Sequence, residues 1–358
     1  MQDTVAGPAI VIANGHFQSS DAKVAHGLVR DSDRFRIVAV IDPDCAGADA
    51  GTLLDGTPRD IPVLCTIADA VNHGPERPEF GIVGIATQGG LLTPSIRSLL
   101  MQAIDSGLSV VNGLHSLAAD DAELAVAARH RDVSIIDLRR PKALAALHFW
   151  SGAIRNVRAP RIAMLGTDCA VGKRTTARLL LRALAASGIH AEMIYTGQTG
   201  WLQGARYGFI LDSTPNDFVS GELEDAVLRC DREASPDVML IEGQSSLRNP
   251  SGPCGVELLI SAEARGVILQ HAPHRQYFSG YEPLRYRLPS IESEIALIKQ
   301  YGARTLAVAL NTEGLPENEQ TVQAQRYSGE LGIPVVRPIE DGVEALVPTI
   351  RQFVETHS

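Results

Sequence analysis

The chain has 358 residues, and 42 Asp and Glu against 32 Lys and Arg give a formal net charge of −10, which argues against nucleic acid as a partner. Aromatic residues make up only 5%, too few for a base-stacking surface, and no apolar run approaches the length of a membrane span. The opening M-Q-D-T-V-A-G-P lacks a basic region followed by an apolar core, so no secretory signal is expected, and the five cysteines (Cys45, Cys65, Cys169, Cys230, Cys254) are scattered without a C-x-x-C pair, so free thiols in a reducing cytoplasm are expected.

Residues 9–13 (A-I-V-I-A) read as a buried strand ending at Asn14-Gly15. A helix is expected from Asp21, with Val24, Leu28 and Val29 on one face. Residues 37–41 (I-V-A-V-I) form a second strand, closed by Asp42-Pro43-Asp44. Strand, helix and strand ending in an acid is the outline of a mononucleotide-binding fold. The G-x-G-x-x-G fingerprint is absent, and N-G-H-F-Q-S-S-D stands in its place. Asp42 is therefore read as a turn residue rather than a ribose ligand, in a domain that keeps a Rossmann-like shape. Pro62-Val63-Leu64 leads into residues 67–71, and 81–86 (G-I-V-G-I-A) is a strand ending in Thr87-Gln88-Gly89-Gly90. A helix at 94–106, a strand at 108–111 before Asn112-Gly113-Leu114-His115, a helix at 120–129 and a strand at 133–137 complete the half. This alternation implies a parallel sheet with helices on both faces. His16 and His115 either face a cleft between domains or sit on the surface. Residues 141–160 are the junction, without a long flexible linker, which places the domains at 1–155 and 156–358.

The second half opens on R-I-A-M-L-G-T-D-C-A-V-G-K-R-T-T-A-R-L-L, residues 161–180. An apolar strand, a glycine-bounded turn and a helix starting at Gly172-Lys173 make a phosphate-binding loop, in which backbone N–H groups converge on an anion and a lysine adds charge. The loop departs from G-x-x-x-x-G-K-[ST] at two points. Thr167 holds the first glycine position, one residue after Gly166, and Arg174 displaces the magnesium-binding hydroxyl to Thr175. A phosphate-bearing ligand is thus expected more strongly than ATP hydrolysis. Further strands are read at 191–195, 238–241, 266–269, 305–310 and 333–336, with a closing helix at 343–353. The strand at 238–241 ends in Glu242-Gly243-Gln244, an acid where such folds place a magnesium ligand or water-orienting group.

Gly166, Thr167, Gly172, Lys173, Arg174, Thr175 and Thr176 are accordingly the expected phosphate contacts. Arg174 either adds a second charge or lies towards solvent. Asp168 either orients a reacting group, binds a metal or accepts turn N–H bonds, and a positional role is favoured. Cys169 is read as a small packing residue. Glu242, His271 and His274 join Asp168 as catalytic candidates, since imidazole is the usual base near neutral pH. Two histidines and an acid could hold zinc, but without H-E-x-x-H or C-x-x-C no metal site is expected.

G-T-D-C-A-V-G-K-R-T-T (166–176), D-F-V-S-G-E (217–222), I-E-G-Q (241–244) and Q-H-A-P-H-R (270–275) together resemble one family over essentially the whole chain. It is the D-glutamate (D-amino acid) N-acetyltransferase family, formerly of unknown function. The resemblance implies two doubly wound parallel-sheet α/β domains, Rossmann-like followed by P-loop NTPase-like. It also implies acetyl-CoA as co-substrate and a D-amino acid as its partner, and D-specificity rests on it alone. A dicarboxylate substrate needs cationic partners, for which Arg275 and Arg97 stand unranked against Arg139 and Arg248. The second domain is also similar to dethiobiotin synthetase, which leaves an ATP- and magnesium-dependent ligase as the alternative. A non-enzymatic nucleotide-binding regulator is the third reading. A homo-oligomer is expected as a general prior.

Overall fold

The computed structural model describes residues 5–357. They divide into two compact units, one of 5–142 with Gln198–Ala205, the other of Ala143–Gly197 with 206–357.

The first unit is built on β1 (Gly7–Ile12), β2 (Phe35–Ile41), β3 (Val63–Leu64), β4 (Phe80–Val83), β5 (Ser109–Asn112) and β6 (Ile135–Asp137). All are parallel, in the order β3-β2-β1-β4-β5-β6, which is the dinucleotide-fold order. Continuous apolar runs such as residues 9–12 are buried on both sides, as helix-covered parallel sheets require. Asp42 is fully buried, and its carboxylate accepts N–H bonds from Phe17 (2.8 Å) and Asp44 (3.0 Å), so it holds a turn. The segment Gln198–Ala205 supplies part of this unit's interior. Trp201 is buried beneath the Arg34 guanidinium, 4.2 Å from its ring centroid, and Gln203 Nε2 donates to the carbonyls of Gly27 and Asp31.

The second unit contains β7 (Arg161–Gly166), β8 (Ala191–Tyr195), β9 (Tyr207–Gly208), β10 (Val238–Glu242), β11 (Gly266–His271), β12 (Arg304–Leu310) and β13 (Val335–Val336). Its parallel sheet has the order β13-β12-β11-β7-β10-β8-β9. β7 therefore lies between β11 and β10, and the loop that follows it is flanked by the ends of both. The sheet order changes direction here, at a position where parallel sheets bind ligands.

Two local features have physical causes. The D-F-V-S-G-E stretch (217–222) lies in a long helix, Asn216–Ala234. Glu222 and Glu224 of this helix are buried because they hold another segment. Glu224 accepts from Ser151 N (2.6 Å), Ser151 Oγ (2.9 Å) and Ile154 N (3.0 Å), while Glu222 accepts from His148 N (3.0 Å). A Cβ at Gly221 would lie 2.0 Å from the His148 carbonyl oxygen, so this segment crosses the helix where only glycine fits. These bonds bind residues 148–154 to the second unit, which begins at Ala143. The closing helix runs Val347–His357, later than 343–353, because residues 344–346 form a separate tighter turn.

Candidate functional site: the loop after β7

Gly166 ends β7 because a side chain there would meet Val171 Cγ2 at 2.7 Å and Lys173 Nζ at 3.2 Å. Gly172 takes φ of 101° and caps the helix Lys173–Ala186, a left-handed conformation that glycine adopts without penalty. The first N–H groups of that helix have no intrahelical acceptor and carry the positive end of its dipole. Lys173 folds back across the loop. Its Nζ donates to the carbonyls of Asp168 (2.7 Å) and Ser245 (2.6 Å). Burial lowers its pKa to about 8.

Asp168 is fully buried and fully used. One oxygen accepts from Cys169 N (2.7 Å), with Asn249 Nδ2 at 3.5 Å, and the other accepts from Ser279 N (2.9 Å) and Arg275 Nη1 (3.2 Å). Arg275 also donates to the carbonyls of Cys169 (2.8 Å) and Ala170 (3.2 Å). Thr167 hydrogen-bonds His271 Nδ1 through its hydroxyl (3.0 Å), and Thr176 donates to Gln270 Oε1 (2.7 Å). β11 therefore fixes the loop from one side. Thr175, by contrast, has a hydroxyl without a partner among the described residues.

β10 flanks the other side. Glu242 is buried and accepts from Thr196 N (3.1 Å) and Gly197 N (3.3 Å), and burial pushes its carboxyl above the usual range. Arg174 Nη1 lies 4.0 Å from the other Glu242 oxygen. The acid-glycine pair has a steric basis, since a Cβ at Gly243 would sit 2.2 Å from the Met164 carbonyl oxygen.

Two family descriptions match consecutive parts of the chain. A "Domain of unknown function (DUF1611_N) Rossmann-like domain" covers residues 43–141, and a "Domain of unknown function (DUF1611_C) P-loop domain" covers 148–347. The chain belongs to the DUF1611 family. A D-glutamate N-acetyltransferase from a Pseudoalteromonas species is 28% identical over 298 residues, spanning 80% of this chain and 84% of that relative. Another of the same name from Tritonibacter scottomollicae is 30% identical over 276 residues, spanning 75% of this chain and 80% of that relative. The crystal structure of a DUF1611 protein from Anabaena variabilis aligns with TM-score 0.87 at 27% identity, over 96% of this chain and 99% of that one. Two parallel-sheet α/β domains, Rossmann-like then P-loop, are thus the fold of this DUF1611 chain.

The remaining singled-out residues are dispersed. His271 is buried in the wall beyond the loop, its Nε2 3.3 Å from the Tyr327 hydroxyl, and burial lowers its pKa to about 4, so it is neutral at pH 7. His274 is exposed and lies against Gly314, whose Cβ would meet its ring at 2.7 Å. The two histidines do not form a pair. Arg97 belongs to the first unit, where it forks onto Asp121 (2.6 and 2.9 Å) and reaches Glu123 (2.6 Å). Arg248 is held by Glu294 and Ser293, and Arg139 by Gln198 and the Gly113 carbonyl. Cys169 Sγ is 3.6 Å from Ser245 Oγ and 3.7 Å from Asn249 Nδ2. Among the described residues, no group of three or more His, Cys, Asp or Glu is placed to hold a metal ion. No helix among them is long and apolar enough to cross a membrane. Ser245, Asn249, Ser279 and Tyr327 complete the loop's surroundings. No motif marks them, because each is brought in by a turn or by a helix distant in sequence.

Proposed function

We propose that this protein is an acetyl-CoA-dependent N-acetyltransferase acting on D-glutamate or a related D-amino acid. The names borne by two relatives, each matching three quarters or more of the chain, support the activity. One observation supports an acyl donor over ATP with magnesium. Arg174 stands where a magnesium-binding hydroxyl would follow the loop lysine, and its guanidinium is 4.0 Å from Glu242, the acid on which such a metal would lean. A fixed cation there neutralises charge without a metal.

In this reading the helix N-terminus from Gly172, the remaining N–H of Lys173 and the free hydroxyl of Thr175 hold the donor's phosphates. Asp168 and Arg275 keep the loop in shape. The substrate ammonium first gives up a proton to solvent. The amine nitrogen then bonds to the thioester carbonyl carbon, the tetrahedral oxyanion collapses, and the C–S bond breaks. The thiolate takes a proton, and the sum is one amide, one thiol and one released proton.

The test is thiol release from acetyl-CoA with D- and L-amino acids, with ATP–magnesium run in parallel. Thiol release with D-glutamate, unaffected by a chelator and weakened through a higher acetyl-CoA KM in Lys173→Ala and Arg174→Ala, is the expected result. ADP formation without thiol release would move the loop to ATP chemistry.

A further inference from the structure

A cavity of about 390 Å³ opens beside the loop, walled by the segment after β11, residues 287–292 and the helix Glu317–Leu331. Its volume falls in the usual range for a small-molecule site. Two wall residues also touch the loop after β7. His271 hydrogen-bonds Thr167, and Arg275 reaches the Cys169 and Ala170 carbonyls. Anything held here is therefore next to the expected donor site.

The charge of the wall is specific. Arg275, Arg287 and Arg326 contribute three guanidiniums, and Glu292 and Glu330 two carboxylates. With His271 neutral, the balance is one net positive charge. Arg275 is committed to the loop, but the Arg287 side chain has no hydrogen bond or ion pair among the described residues, and neither has Glu292. Arg326 lies over the Tyr327 ring, 4.9 Å from its centroid, with only a 3.9 Å contact to Glu330. Ser290 caps the helix Ile291–Gln300, so the positive end of a ten-residue helix forms part of the same wall. A wall offering the unpaired Arg287 guanidinium, the Arg326 guanidinium held only by a long, exposed pair to Glu330 and by Tyr327, and the unpaired Glu292 carboxylate matches two carboxylates and one ammonium. A phosphate dianion matches it less well, because Glu292 and Glu330 would oppose it.

Resting on the proposed acetyl-transfer reading, we infer that this cavity receives the amino-acid substrate, a small dicarboxylate with one ammonium group, Arg287 and Arg326 taking the carboxylates and Glu292 the ammonium.

The test uses the full chain and calorimetric titration with D-glutamate and with glutarate, which lacks the amine. It compares the parent with Arg287→Ala, Arg326→Ala and Glu292→Gln, and acetyl-CoA KM is measured beside it. All three side chains are exposed at the cavity rim, and a thermal melt checks that each variant folds. Each arginine variant should weaken both ligands by about tenfold or more, the loss of one charged hydrogen-bonding partner. Glu292→Gln should weaken D-glutamate but not glutarate, and acetyl-CoA KM should stay within about twofold. Unchanged D-glutamate binding in both arginine variants would overturn the inference. So would no D-glutamate binding by the parent, or loss of acetyl-CoA affinity instead, which would give the cavity to a phosphate of the donor. If D-glutamate binds as expected but no thiol is released, the cavity assignment stands and the acetyl-transfer reading falls.

Discussion

Arg275 donates to the Asp168 carboxylate across 3.2 Å and to the Cys169 carbonyl across 2.8 Å, so a guanidinium from the segment after β11 supports the phosphate loop from behind. Asp168 would be an awkward neighbour for phosphate if it faced the ligand. It faces away instead, into Arg275 and the Ser279 N–H.

Removing Arg275 should therefore damage the loop before it damages chemistry. Asp168 would remain fully buried without its cation. Breaking a fully buried pair costs about 3–5 kcal/mol, and since the arginine side chain is 24% exposed we expect less than that, about 2–3 kcal/mol. Arg275→Ala should thus lower the melting temperature by roughly 4–12 °C and raise acetyl-CoA KM. Asp168→Asn should act in the same direction, and the double variant should cost less than the sum of the singles. Additive losses in thermal melts would mean that the two side chains act separately.

Lys173 leads to a second expectation. Its pKa of about 8 reflects burial of the ammonium away from the water that would stabilise its charge. The folded-state value lies below the ordinary 10.5, so the cost of burying the charge is fully present below about pH 8. It is relieved as pH rises towards 10.5, and stability should increase across that window. A phosphate placed on the amine should raise its pKa again. At pH 9 acetyl-CoA binding should take up close to one proton, and at pH 7 almost none. Titration calorimetry in buffers of different ionisation enthalpy measures this directly. Uptake at pH 9 that persists in Lys173→Met would assign the proton to another group.

The fold was legible because two signals agreed along the chain. Short apolar runs such as 9–12 and 162–165 alternate with helical stretches, and both sets became central strands of parallel sheets. Gly172-Lys173 at a helix start marked the loop for a mechanical reason, the approach of backbone to an anion. Less was legible where residue type did not reveal direction. Asp168 was open to a chemical or a turn-holding role, and nothing local marked Glu222 and Glu224, yet each is buried to hold backbone N–H groups of a segment remote in sequence. The cavity escaped notice for a related reason. Arg287, Glu292 and Arg326 lie on three pieces of chain, and only the packing of helix Glu317–Leu331 beside β11 brings them to one wall.

His271 gives the last expectation, and its sign decides the measurement. Burial lowers its pKa from 6.5 to about 4, so the unfolded chain takes the proton first as the solution is acidified. Stability should therefore fall as pH drops from about 6.5 and level off near pH 4, where both states are protonated. A shift of this size corresponds to about 3 kcal/mol over the window. The informative quantity is the difference between the parent and His271→Asn, followed by denaturant unfolding at intervals of pH. The variant should be less stable at pH 7, having lost its bonds to Thr167 and Tyr327, but its stability should decline less steeply towards pH 4. The same shift bears on activity. An imidazole neutral throughout pH 5–8 gives no limb near pH 6.5, so the acid limb of kcat/KM should follow the substrate amine instead. Equal slopes of stability against pH in parent and variant would show that His271 titrates normally in the folded protein. It would then be charged in mildly acidic solution.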